Sequence, residues 1–268
     1  MDQVIYDTVI LSDLHLGSET SRAREALAAL KSMRFRRLIL LGDIFCDLNF
    51  RRLRKEHWEF LSFIRKLSNP KRNVEVVWVE GNHDFGLVEV MSHLVGIRAY
   101  DEYLWHFEGE RHLAIHGHQF DSFVLKDQFR LSSLGGLLFL FIQKLDSKKK
   151  RFARFLDRLN TRWLRLEEKV ANGALAHAAA RDVKRVFCGH THEPATANRQ
   201  GIHYYNTGCW TTERPTYITV CEQGIKIHEY VDGVSYCFAN EERREPTPAV
   251  AHAASDAPAD MGYEGAYC

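Results

Sequence analysis

Apolar residues in this chain come in short runs, and five of those runs end in a polar cluster of one recurring kind. Val4 to Leu11, Arg37 to Leu41, Val74 to Val79, Leu113 to Ile115 and Val183 to Cys188 are rich in Val, Ile and Leu. Runs of this length without polar alternation predict strands buried on both faces. Between the first two, Ala23, Leu27, Leu30 and Met33 recur at helical spacing within Thr20 to Met33. Trp58, Leu61, Ile64 and Leu67 do the same before the third run. Strand alternating with helix predicts an α/β domain. Further on, Ile202 to Tyr205, Thr216 to Val220 and Ile225 to Tyr230 are β-like, the last two joined by the turn Glu222-Gln223-Gly224. They predict a second, partly antiparallel sheet.

Two regions break the pattern. Residues 121–181 separate the fourth and fifth runs with helical sequence, a helical insertion or cap. This insertion holds the apolar stretch Leu134 to Ile142, followed by Lys148-Lys149-Lys150-Arg151. Residues 240–268 are rich in Ala, Pro, Glu and Asp and have no apolar periodicity, a composition that predicts a disordered tail. The chain thus reads as one domain over residues 1–239, insertion included, plus the tail.

Composition narrows the partners. With 45% hydrophobic and 26% charged residues and a net charge of +1, the chain is an ordinary soluble globular protein. Bulk charge gives no pull toward nucleic acid or membranes, so any such attraction must come from a local patch. The first residues lack the basic start, apolar middle and small-residue cleavage site of a signal peptide, which predicts a cytoplasmic protein. Six scattered cysteines, with no Cys-x-x-Cys pair, read as reduced thiols.

The clusters that close the runs carry the chemistry: Asp13 and His15, then Asp43, then Asn82, His83 and Asp84, then His116 and His118, and last His190 and His192. Parallel strands bring their C-terminal ends to one sheet edge, so side chains placed there converge. Alone, Asp13 and His15 read better as an N-cap and a loop histidine, and Gly42-Asp43 reads as well as an ordinary turn. Gly81-Asn82-His83-Asp84 and Gly189-His190-Thr191-His192 say more, because each joins a strand end, a glycine and adjacent metal-type side chains. The ordered set points to a metal centre. Carboxylate, amide and imidazole donors without thiolate suit Mn²⁺ first, or Fe²⁺ or Zn²⁺, over a structural zinc cage. The chemistry that follows is metal-assisted hydrolysis.

Together, Asp-x-His, Gly-Asp, Gly-Asn-His-Asp, His-Gly-His and Gly-His-x-His resemble the signature of the calcineurin-like metallophosphoesterase superfamily, from Ser12 to His192. The resemblance implies a four-layered αββα sandwich carrying two divalent ions. It assigns Asp13, His15 and His192 to the first ion, Asn82, His116 and His190 to the second, and Asp43 to a bridge between them. His83 would be catalytic without binding metal, oriented by Asp84. Ser12-Asp13-Leu14-His15-Leu16-Gly17, Leu41-Gly42-Asp43-Ile44-Phe45 and His116-Gly117-His118-Gln119-Phe120-Asp121 look most like the bacterial UDP-2,3-diacylglucosamine diphosphatases of lipid A biosynthesis. Those enzymes cleave a nucleotide diphospho-sugar lipid to release UMP, and in them a helical insertion at this place covers the acyl chains. The best-known members carry Arg where His83 stands and Asp where His118 stands.

Other residues are candidates for substrate or supporting contacts. His118 follows the ligand His116 by two positions. Asp121 reads equally as a helix N-cap, and Arg51 and Arg52 could meet a phosphate or sugar although a solvated helix start is the default for such a run. In the insertion, Phe152, Phe155, Leu156, Leu159, Trp163 and Leu166 form one helical stripe beside a second of Arg151, Arg154, Arg158, Arg162 and Arg165. Such a helix suits an anionic membrane surface, here the inner face of the cell membrane, although packing on the domain with solvated arginines explains the same spacing. Three readings stay open: a lipid-processing diphosphatase; a soluble phosphodiesterase, nuclease or phosphatase; and a metal-binding interaction module without turnover. His83 argues against the last, and the aromatic and leucine content of the insertion against a nuclease.

Overall fold

The computed structural model describes residues 4–47, 49–84, 86, 96–121 and 162–238. Three of the apolar runs form β1 (Ile5–Leu11), β2 (Arg34–Leu41) and β3 (Glu75–Val79), parallel neighbours joined through helices α1 (Ala23–Lys31) and α2 (Lys55–Leu67). The other two form β6 (Glu110–Ile115) and β7 (Arg185–Cys188), also parallel but in a different sheet. Seven strands make the first sheet. From one edge these are β12 (Val234–Cys237), β11 (Gly224–Val231), β10 (Thr216–Cys221), β1, β2, β3 and β4 (Arg98–Tyr100). Five make the second: β5 (Glu102–Phe107), β6, β7, β9 (Ile202–Thr207) and β8 (Pro194–Arg199).

Side-chain alternation explains why the sheets stack. In β1 and β2, Ile10, Ile39 and Leu41 point into the space between the sheets, where they meet Trp105, Ala114 and Phe187 of the second sheet. Val9, Leu11, Leu38 and Leu40 point the other way, onto α1 and α2. In the second sheet Leu113, Ile115, Val186 and Cys188 pack outward against Ala174, Leu175 and Ala178 of α3 (Arg162–Ala180). The result is helix, sheet, sheet, helix, and every strand that carries a candidate ligand is apolar on both faces, as its sequence requires.

Three expectations need correction. The late β-like stretches do not form a sheet of their own. β10 and β11 extend the first sheet, with Ile10 opposite Ile218, while β9 lies parallel to β7 in the second, with Val186 opposite Tyr204. Each strand joins the sheet whose buried faces match its own. In α2 the buried stripe is His57, Phe60, Leu61 and Ile64, and Trp58 is 51% exposed. Position 57 lies one turn before both Phe60 and Leu61 and so centres the stripe, and its Nδ1 accepts hydrogen bonds from Gly17 N and Arg54 N. Finally, β4, β5, β8 and β12 had no apolar run to announce them, because they are short or lie at sheet edges.

α3 accounts for the end of the expected insertion. Leu134 to Ile142, the arginine stripe from Arg151 through Arg158 (Arg154 included) and the tail 240–268 lie outside the described residues. Among the described residues no helix is long and apolar enough to cross a membrane, and Cys46, Cys188, Cys209, Cys221 and Cys237 are free thiols.

Two buried histidines far from the ligand clusters give the fold a measurable acid response. His112 is stacked on Phe187 and tilted against Trp105, and His228 is stacked on Tyr217 with its Nε2 2.8 Å from Thr219 Oγ1. Burial pushes both imidazoles down to about 4. Between pH 6.5 and 4 the unfolded chain therefore takes up protons that the folded chain refuses. Stability falls as pH drops through that window and levels off below it, by roughly 2–3 kcal/mol per histidine. The urea midpoint should drop less between pH 7 and pH 5 in His112→Phe than in the wild type. An unchanged pH dependence would assign the acid response elsewhere.

Candidate metal centre

The loops after β1 and β2 run side by side and are zipped by backbone hydrogen bonds: Asp13 N to Gly42 O and His15 N to Asp43 O at 3.0 Å each, and Leu16 N to Ile44 O at 2.7 Å. The loop after β3 joins them where His83 N donates to Asp43 Oδ1 at 2.9 Å. The second sheet arrives from the other side. His116, at the end of β6, donates through Nδ1 to Leu41 O at 2.9 Å, and His190 N donates to Asp13 Oδ2 at 3.1 Å. Gly42 makes the first of these approaches possible, since any Cβ there would collide with the His116 ring.

Backbone conformation marks the site as clearly as its side chains do. Asp13, His15, Asp43, His190 and His192 have φ of 52°, 47°, 52°, 68° and 61°. Non-glycine residues in the left-handed region cost about 1 kcal/mol or more each, and they persist only where surrounding structure holds them. The zipped loops supply that restraint.

Three groups of ligand-type atoms result, each within 4.8 Å: Asp13, His15 and His192; His15, Asp43 and His83; Asp43, His116 and His190. In the first group, Asp13 Oδ1 and His15 Nε2 lie 3.1 Å and 3.2 Å from His192 Nε2. In the third, His116 Nε2 is 3.3 Å from Asp43 Oδ2. Asp43 is shared by two groups, so it stands between the two ends of the cluster. Asp13 Oδ1, Asn82 Oδ1 and His116 Nε2 are buried, yet none is aligned in a hydrogen bond. Buried polar atoms are rarely left so, and Asp13 and His116 each belong to one of the ligand groups, as a cation's donors would.

Protonation agrees with this. Burial works against the charge on Asp43 and Asp13, but His116 beside the first and His192 beside the second hold both carboxyls below their usual range. Burial drives His15 down to about 3, leaving a neutral ring able to donate a lone pair. Burial also opposes charge on His116, yet the Asp43 carboxylate outweighs it and raises this ring to about 9. The same negative field favours any cation placed there.

Asp84 does not take the expected role of orienting His83. Its carboxylate turns into the protein and accepts from Ile44 N and Phe45 N at 3.0 Å and 2.9 Å, which pins the loop carrying Asp43. Burial, then the Asp43 charge, raises Asp84 to about 7. The His83 ring is held instead by Cys46 O, 2.8 Å from Nδ1. A carbonyl can only accept, so Nδ1 carries a proton and Nε2 faces the centre, 4.0 Å from Asp43 Oδ2. His83 has 44% of its side chain exposed, whereas Asp43 beneath it has 3%.

The remaining candidates divide. His118 lies beside the cluster, its ring 5.6 Å from His116 and its buried Nδ1 unpartnered, and burial takes it down to about 4. Asp121 Oδ2 is 3.4 Å from His190 Nε2. Arg52 is paired with Asp47 at 2.5 Å, and Arg51 is exposed. Sequence reasoning missed a further layer. Ser12 Oγ bonds Asp13 Oδ2, Thr207 Oγ1 and Gly208 O, while Asn206 Nδ2 donates to Gly189 O at 2.8 Å. The signal was available: Asn206-Thr207-Gly208 closes β9 much as the other clusters close their strands.

Carboxylate and imidazole side chains gathered from two facing sheets form a candidate metal centre. The sequence profile of the calcineurin-like phosphoesterase superfamily domain matches residues 7–222, and the chain belongs to that superfamily as a metal-dependent phosphoesterase. Members of the superfamily typically bind two divalent metals. Comparison with curated protein sequences returned no match. Solved structures similar to this chain include wild-type Vps29 complexed with zinc from Entamoeba histolytica, at 15% identity and TM-score 0.46, covering 89% of this chain and 98% of that one. Vacuolar protein sorting 29 from Cryptosporidium parvum is 15% identical with TM-score 0.44, covering 90% and 96%. A novel archaeal phosphodiesterase is 14% identical with TM-score 0.46, covering 83% and 98%.

Proposed function

We propose that this protein hydrolyses the pyrophosphate of a nucleotide diphospho-sugar lipid, UDP-2,3-diacylglucosamine or a close analogue, to release UMP. Asp13, His15 and His192 would hold one divalent ion, Asn82, His116 and His190 another, with Asp43 shared and Mn²⁺ the metal. Such ions supply a water of lowered pKa and neutralise phosphoryl oxygens. The observation that supports the hydrolytic part of this reading is His83, which stands where the best-known diphosphatases of that group carry Arg. It stands at the rim of a buried ligand cluster, more exposed than Asp43, with Nδ1 anchored and Nε2 facing inward. From there it can stabilise charge developing on the phosphoryl group or protonate the leaving oxygen.

The lipid part of the proposal rests on sequence: the three motifs quoted above, the apolar stretch Leu134 to Ile142, and the arginine stripe with Arg154 and Arg158. These features suit acyl chains and an anionic membrane face, which would place the protein at the cytoplasmic side of the cell membrane. Manganese-supplied protein should convert UDP-2,3-diacylglucosamine to UMP and the acylated sugar phosphate, with products resolved by mass. Turnover of single-stranded DNA or free nucleotides in preference to the lipid would sink this substrate. Charge reversal, Arg154→Glu with Arg158→Glu, should slow lipid hydrolysis about tenfold or more and weaken binding to anionic vesicles. Hydrolysis of bis-p-nitrophenyl phosphate, which needs only the metal centre, should hardly change. Equal loss on both substrates would count against a role for these arginines in lipid binding.

A further inference from the structure

We propose that Asp121 is a positioning residue for the second ion: its carboxylate holds the Nε2–H of His190 and so turns Nδ1 of that ring toward the metal. This rests on the dinuclear reading above. An imidazole offers two nitrogens, and whichever one is hydrogen-bonded leaves the other as the ligand. In His190 the nitrogen facing Asp121 is Nε2, 3.4 Å from Oδ2, and both side chains are 8% exposed. The ring belongs to the same group as Asp43 and His116, while its own backbone N is tied to Asp13. Backbone and far edge are thus both fixed, and the nitrogen left over is Nδ1. A separation of 3.4 Å is long for a charge-assisted hydrogen bond, and it should shorten when metal on Nδ1 makes Nε2–H a stronger donor.

Asp121 is itself held in place. It ends the tight turn His118–Phe120, closed by Phe120 N to Gly117 O and Asp121 N to His118 O at 3.1 Å and 3.0 Å. The Phe120 ring fills the space beside Gly173 of α3, where an added Cβ would come within 2.7 Å of it, and its edge contacts the His177 ring. The second sheet and its outer helix therefore fix the carboxylate that fixes the imidazole.

Two substitutions separate this role from simple helix capping. Asn caps a helix as well as Asp does, so a capping role predicts no change in metal binding for Asp121→Asn. A positioning role predicts that the second Zn²⁺ binds about tenfold more weakly in Asp121→Asn and about 10- to 100-fold more weakly in Asp121→Ala, with the first unaffected. Calorimetric titration of the full chain with Zn²⁺ reads both sites. In the zinc-loaded wild type, ¹⁵N shifts should place metal on Nδ1 and the proton on Nε2 of His190. Wild-type affinity at both sites in both variants, or zinc on Nε2, would overturn the inference while leaving the dinuclear centre intact. Equal weakening of both ions would overturn it too, as general damage. A wild-type protein that binds fewer than two ions would remove the dinuclear reading and this inference with it.

Discussion

Asp43→Asn should leave a folded protein that no longer holds two ions and has lost about 10³-fold or more of its turnover. The substitution keeps the volume and one acceptor oxygen, so His83 N retains a partner and the zipped loops remain. What disappears is the charge shared by two of the three ligand groups. Without it His116 loses the carboxylate that raises its pKa, and Asp84 loses a repulsive neighbour. A dinuclear site depends on a shared anion to offset repulsion between its ions and to generate the nucleophile near neutral pH. Elemental analysis beside turnover of bis-p-nitrophenyl phosphate decides the matter. Two ions per chain with undiminished turnover would show that Asp43 is not the bridge.

His83→Ala should separate chemistry from metal binding. Its ring is anchored on a carbonyl and half-exposed, and it is not needed to complete either assigned ligand set. Removing it should lower kcat by about 10²- to 10⁴-fold, the range for loss of a positioned proton donor or charge stabiliser. Both ions should remain, and thermal stability should hardly move because the side chain buries little surface. Loss of an ion in this variant would instead make His83 a ligand, in line with its place beside His15 and Asp43.

Much of this site was legible because two rules act together: parallel buried strands are uniformly apolar, and their C-terminal ends meet at one edge. That rule places Asp13 and Asp43 at one edge, whereas His116 and His190 reach them from the facing sheet, a meeting that the one-edge rule does not foresee. What stayed hidden depends on direction more than on position. Asp84 neighbours His83 in sequence, yet its side chain turns inward to two backbone N–H groups, and no spacing rule reveals which way a loop residue faces. The left-handed backbone at five cluster residues is equally silent, because Asp and His carry no mark of it as glycine does. Strand order failed for a related reason. The stretches beyond His192 read correctly as strands, but the choice between two sheets is made by matching buried faces, as Ile218 does with Ile10.

The clamp between Phe120 and α3 also bears on what the ligand cluster tolerates at a distance. Gly173 and His177 of that helix lie against Phe120, in the turn that follows His116. A Cβ at Gly173 would come within 2.7 Å of the Phe120 side chain. A residue on the outer face of the second sheet thus braces, from behind, the loop that carries His116.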